Sequence, residues 1–159
     1  MLPFWLSGRI LIIKNNRFLV IGVQFIGLNA AMVSRSNTCN FCYVSHKAVT
    51  VIGFDDEVVE AALDDWRSAP ISNRLRAALA YVEKLTITPD AVSDTDINEL
   101  EAAGIDAIAA TELSYIVFCF SVINRLANAF DFELGEGGEV GRTARFLYHI
   151  GYGTGSLPD

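Results

Sequence analysis

Three side chains in this 159-residue sequence have types and spacing suited to chemistry: Cys39, Cys42 and His46, in the segment Cys39-Asn-Phe-Cys42-Tyr-Val-Ser-His46. At 100° per residue, positions 39, 42 and 46 fall within about 60° of one another on a helix, so all three share one stripe. Asn37 and Thr38 supply turn and cap residues just before Cys39, which places the pair at a helix N-terminus. The macrodipole and the free N–H groups of a first turn stabilise a thiolate, so a lowered cysteine pKa is expected there. His46, one turn beyond Cys42, is positioned to take or return a proton. A second thiol three residues away can attack a sulfenic acid and close a disulfide. These are the parts of a two-cysteine thiol peroxidase.

Other readings of the same residues make different demands. A zinc site built on Cys39, Cys42 and His46 needs a fourth ligand, and His149 is the only other histidine. Ligands on one continuous helical stripe also splay along the axis instead of converging tetrahedrally. Haem attachment requires histidine directly after the second cysteine, where Tyr43 stands. The plain alternative is a pair of structural thiols beside a satisfied histidine. The third cysteine, Cys119, lies in Ile-Val-Phe-Cys-Phe and reads as an inert core residue.

The elements that must hold this stripe are helices throughout, and the fold class is all-α. Ile10 to Ser36 is apolar with few breakers and holds one long or two short helices. Cys39 to about Ile52 forms the next, ended by Gly53. Asp55 caps a helix that Pro70 stops, and Ser72 caps another that Thr88-Pro89 closes. Ser93-Asp94-Thr95-Asp96 opens a short helix terminated by Gly104, and Asp106 caps an apolar helix running to about Phe130. Seven of the twelve glycines fall between Gly135 and Gly155, so residues 135–159 are expected to form an irregular C-terminal arm. No strand alternation, internal repeat or phosphate-binding glycine loop is present.

Bulk properties bound the rest. The length suits a single domain, and 52% apolar against 19% charged residues excludes disorder. The apolar excess points to a subunit interface, hence a homo-oligomer. A net charge of −7 repels phosphate backbones and anionic lipid surfaces, so neither nucleic acid nor membrane is an expected partner. Mean hydropathy is +0.33, but Phe18–Ser34 is too short to span a bilayer, and Ile105–Ile123 carries Asp106 and Glu112. Both read as buried helices. Met1–Ser7 has neither a basic n-region nor a cleavage site, and a cytoplasmic location, where thiols stay reduced, is expected.

The motif resembles the C-x-x-C-x-x-x-H signature of the alkylhydroperoxidase D and carboxymuconolactone decarboxylase superfamily. The lead-in Val33-Ser-Arg-Ser-Asn-Thr38 is similar to that family's approach to its cysteines. Phe120-Ser-Val-Ile-Asn-Arg-Leu-Ala-Asn-Ala-Phe130 resembles the asparagine–arginine helix of its peroxidase-related branch. Thr88-Pro89, Ser93-Asp94-Thr95-Asp96 and Ala102-Ala-Gly104 match it as well, and the likeness covers about residues 18 to 134.

The resemblance implies a helical bundle that assembles as trimers or hexamers and reduces organic hydroperoxides. It implies Cys42 as peroxidatic nucleophile, Cys39 as resolving thiol and His46 as proton relay. Electrons would come from a thiol or lipoyl carrier protein, with no bound cofactor. The decarboxylase branch shares the scaffold but does without the cysteine pair, so both thiols argue against it. One position departs: the family glutamate twelve residues before the first cysteine is Gly27 here. Gln24, one turn earlier, can hold a water but carries no proton, and Glu112 is the carboxylate left to substitute through space. Asn124 and Arg125 are accessory candidates, with Arg125 suited to an acidic substrate or to an acidic residue across a helix interface. The alternative implied by Gly27 is a redox-sensing or ligand-binding scaffold that has lost turnover.

Overall fold

The computed structural model describes residues 23–135 and 138–150; Trp5 and the expected helical stretch before residue 23 lie outside them. Seven α-helices occur among the described residues: α1 Val23–Ser36, α2 Asn40–Thr50, α3 Asp56–Asp65, α4 Asn73–Ile87, α5 Asp94–Ala102, α6 Ala107–Ala129 and α7 Glu139–Ile150. A 3₁₀ turn, Pro89–Ala91, joins α4 to α5, and no strand occurs among these residues.

The centre of the bundle is α1. Every residue from Ile26 to Ser34 is buried, because α2, α4 and α6 pack around it. A helix enclosed on all sides must be apolar or small on every face. The sequence meets that with Leu28, Met32 and Val33 on some faces and Gly27, Ala30, Ala31 and Ser34 on others.

Sequence signals set the surrounding starts and stops. The Asp55 carboxylate accepts from the N–H groups of Glu57 and Val58, Ser72 Oγ from that of Leu75, and Asp106 from that of Ala109. Ser93 and Asp96 close a reciprocal capping box. Gly104, at φ 79°, ends α5 with Ile105 N–H bonded back to the Leu100 carbonyl. Arg76 reaches across the α3–α4 connection to the carbonyls of Trp66, Arg67 and Ala69. Trp66 itself is half-buried, with its Nε1–H donating to Glu83 at 3.1 Å.

Two expectations are corrected. The segment expected to be an irregular arm contains α7, and its last residues, 151–159, lie outside the description. Gly138, at φ 83°, turns the chain into α7, whose Ala144 is buried and which packs on α2. The glycine count obscured an amphipathic face. The α6 helix is also not buried all round. It has the length and hydropathy of a membrane span, but one face packs on α1 and α4 while Ile108, Tyr115, Leu126 and Phe130 remain exposed.

The α1–α2 corner delivers the cysteines. Thr38 N–H bonds to the Arg35 carbonyl and Cys39 N–H to that of Ser34, at 3.0 and 2.9 Å. This 5→2 and 6→1 pair is a Schellman motif with Thr38 at the left-handed position, φ 54°. A β-branched residue is strained there, where glycine is not. Thr38→Gly should therefore raise stability by about 1 kcal/mol, read as a higher urea midpoint at unchanged slope.

Candidate functional site

The Schellman corner makes the residue that ends one helix start the next. Cys39 is the N-cap of α2, with φ −99° and ψ 96°, and Cys42 lies in the first turn. Both are almost sealed, at 1% and 3% exposure. They form a small cluster with Ala127 of α6, and Phe41 packs against it. The edge of Phe132, 5.4 Å between centroids, holds the Phe41 ring in place; such pairs contribute about 1 kcal/mol.

Asn124 joins this cluster from α6. It is fully buried, its Oδ1 accepts from Asn37 Nδ2 at 3.1 Å, and its Nδ2 donates to Ser34 Oγ at 3.0 Å. Ser34 Oγ in turn donates to the Ala30 carbonyl at 2.7 Å. The Asn124 amide also acts on the Cys42 thiol, in the direction that favours the thiolate. One amide thus ties α6 to the end of α1, the corner and the second cysteine.

The expected lowering of the thiol pKa does not hold at Cys42. Burial, followed by the hydrogen bond with the Cys39 side chain, pushes it up to about 11, and the Asn124 bond offsets this only in part. The helix terminus was legible in the sequence, but the desolvation that outweighs it comes from α6 and Phe41. His46 shifts for the same reason. Its ring packs edge-on against Phe120 at 4.5 Å, and burial lowers its pKa to about 4. It is a neutral imidazole, facing Phe120 of α6.

Gly27 marks the closest approach of α1 to α2. A Cβ built there lies 2.7 Å from Thr50 Oγ1 and 3.3 Å from the His46 carbonyl oxygen. Thr50 is fully buried and its hydroxyl donates to that same carbonyl at 2.9 Å. The space a glutamate side chain would need is filled by α2 itself. Glycine here serves packing, and the helices close the site where the family pattern has an acid.

The other candidates divide. Gln24 lies in the first turn of α1, one turn before Gly27. Glu112 is half-buried, its carboxyl held above the usual range by burial and by Asp106. It sits twelve residues before Asn124 on the same helix, about 18 Å along the axis, so it does not replace the missing acid. Arg125 is exposed and donates to the Ser121 carbonyl on its own helix, pairing across no helix interface among the described residues. Cys119 is half-buried, not core, with its thiol raised by burial. His149 is exposed on α7. Among the described residues no three His, Cys, Asp or Glu side chains converge as metal ligands.

This arrangement of helices is the fold of an alkylhydroperoxidase AhpD core. The crystal structure of such a core, an uncharacterized peroxidase-related protein from Ralstonia eutropha JMP134, superimposes with a TM-score of 0.69 at 24% identity, over 77% of this chain and 64% of that one. An uncharacterized peroxidase-related protein from Silicibacter sp. TM1040 gives 0.68 at 24% identity, over 74% and 61%. In sequence, the chain is 34% identical over 107 residues to the uncharacterized protein YnjA of Escherichia coli (strain K12), covering 65% of this chain and 57% of that protein. The chain therefore spans less than two thirds of the length of each of these relatives. No family model matches it.

Two measurements check this geometry. Gly27→Ala should lower stability by about 1–2 kcal/mol, overpacking outweighing the helix-propensity gain. Adding Thr50→Ala should recover most of that, a coupling visible in a double-mutant cycle of urea unfolding. His46 has a folded pKa of about 4 against 6.5 when free, so its contribution is complete above about pH 6.5 and is lost as pH falls toward 4. Between pH 6.5 and 5 the unfolding free energy should drop by up to about 1.4 kcal/mol per pH unit. His46→Phe should flatten that slope.

Proposed function

We propose that the protein reduces organic hydroperoxides with its two buried thiols, Cys42 as nucleophile and Cys39 as resolving partner. The observation that carries this reading is the pair of buried thiols clustered at the start of α2 against α6. The Asn124 amide favours negative charge on Cys42, and a thiol that must attack an O–O bond needs that help. The AhpD-core fold and the description of its structural relatives as peroxidase-related point the same way.

The chemistry balances with the hydroperoxide as the two-electron oxidant. The Cys42 sulfur attacks the distal oxygen of ROOH, the O–O bond breaks, and the leaving alkoxide takes up a proton to give Cys42–SOH and ROH. The Cys39 sulfur then displaces that hydroxyl as water and forms the disulfide. Two electrons pass from the thiols to the peroxide. A thiol or lipoyl carrier protein returns them, and no resident cofactor is involved. His46, neutral at working pH, relays a proton without holding it, a slower route than transfer through the hydroxyl of the peroxide itself. The same reading places the protein in the cytoplasm as a trimeric or hexameric homo-oligomer, associating through apolar residues such as Ile108, Tyr115, Leu126 and Phe130.

A redox sensor that reacts once is the second reading, favoured by the sealed pair and the raised Cys42 thiol. At a pKa of about 11 roughly one thiol in ten thousand is ionised at pH 7.

The test is a free-thiol count on reduced, metal-stripped protein before and after one equivalent of cumene hydroperoxide. Two thiols should be lost per chain. Cys42→Ser should abolish the loss, and Cys39→Ser should leave a sulfenate that reacts with dimedone. Equal full activity in both variants removes the mechanism. Repeated turnover with a dithiol reductant separates the enzyme from the sensor, which stops after one equivalent.

A further inference from the structure

A cavity of about 250 Å³ lies between α2 and α7, and Phe41 is one of its walls. Phe41 also packs against Cys39, Cys42 and Ala127. It is thus the residue shared by an open space and two thiols that are almost sealed. The remaining walls include Leu134, Val140 and Ala144, while Glu133 and Glu139 place carboxylates beside it. Arg142 lies 3.6 Å from the Glu139 carboxylate and cancels part of that charge.

We propose that this cavity is the entry and binding site for the molecule that oxidises the thiols, and that Phe41 is the residue that admits it. The inference rests on the hydroperoxide reading for the identity of what enters. Its size bounds the ligand. A sealed apolar cavity of about 150 Å³ accepts benzene, so this half-open one of about 250 Å³, with both polar and apolar walls, has room for an aryl or short alkyl hydroperoxide. Its charge bounds the class: two carboxylates against one guanidinium favour uncharged molecules over those bearing a carboxylate, such as a fatty-acid hydroperoxide. Displacing the Phe41 ring also brings solvent or substrate hydroxyl to Cys42, removing part of the desolvation that keeps the thiol protonated. Binding and activation of the nucleophile are thus one movement.

Thiol labelling tests the route without requiring peroxidase activity. In a Cys119→Ser background, reduced protein is treated with neutral methyl methanethiosulfonate or its anionic sulfonatoethyl analogue. Each cysteine attacks the thiosulfonate sulfur and expels a sulfinate, and peptide masses follow Cys39 and Cys42. Rates are normalised to those of N-acetylcysteine with the same reagents. The neutral reagent should react several-fold faster. Phe41→Ala should raise both rates at least tenfold. Thr143→Trp, at an exposed position on the cavity wall, should slow labelling at least fivefold with an unchanged melting temperature. Glu133→Gln with Glu139→Gln should narrow the gap between the reagents. Unchanged rates in both Phe41→Ala and Thr143→Trp would overturn the route. Labelling that follows the cavity while cumene hydroperoxide is not consumed would keep the route and remove the hydroperoxide reading.

Discussion

Burying one amide constrains the whole thiol end of this bundle. Asn124 is enclosed on α6, a helix otherwise rich in Ile, Val and Phe, and an unsatisfied amide there would cost several kcal/mol. It is satisfied by groups that cannot be local, Asn37 from the corner and Ser34 from α1. Those partners fix the height of α6 against α1 and against the corner that starts α2. The Schellman corner at Thr38 then has little freedom, because Ser34 and Asn37 flank it and are already bound. A strained left-handed threonine persists where surrounding contacts over-determine it.

The second constraint is proximity. Gly27 lets α1 approach α2 until a Cβ would press on Thr50. On the other side of α2 the His46 ring packs against Phe120 of α6, and burial keeps it neutral. A larger side chain at position 27 would press on Thr50 and on the His46 carbonyl, so α1 and α2 keep this spacing only with a small residue there.

Much of the frame is written in short-range signals. Asp55, Ser72, Asp106 and Gly104 act at the positions their types announce, since a cap depends on neighbours three or four residues away. The cysteine–histidine stripe follows from helical periodicity alone. What escaped depends on other helices. The helix in the C-terminal segment needed the α2 face to make its few apolar positions count, and its glycines outweighed them locally. The direction of the Cys42 shift depended on Ala127, Phe41 and Cys39 enclosing it, which no window around residue 42 contains. Asn124 was visible only through likeness to a known helix, because a polar residue in an apolar helix does not announce its partners. Glu112 looked available in sequence, and only its height along α6 excludes it.

On the proposed chemistry, the raised Cys42 thiol and a glycine at position 27 bear on rate, not on stoichiometry. Reducing ROOH to ROH while Cys42 becomes a sulfenic acid neither consumes nor releases a proton overall, since the thiol hydrogen is matched by the one gained on the alkoxide. A glutamate–histidine relay speeds that exchange but is not part of its balance. Moving the proton from a thiol near 11 to an imidazole near 4 is steeply uphill, so direct transfer to His46 is the slow route. A peroxide in contact with Cys42 carries its own hydroxyl and offers a shorter one. Burial also keeps the Cys42 thiol protonated between encounters, and thiols climb the oxidation ladder as exposed thiolates. On the proposed chemistry, the sealed geometry selects the oxidant and protects the cysteines from sulfinic acid.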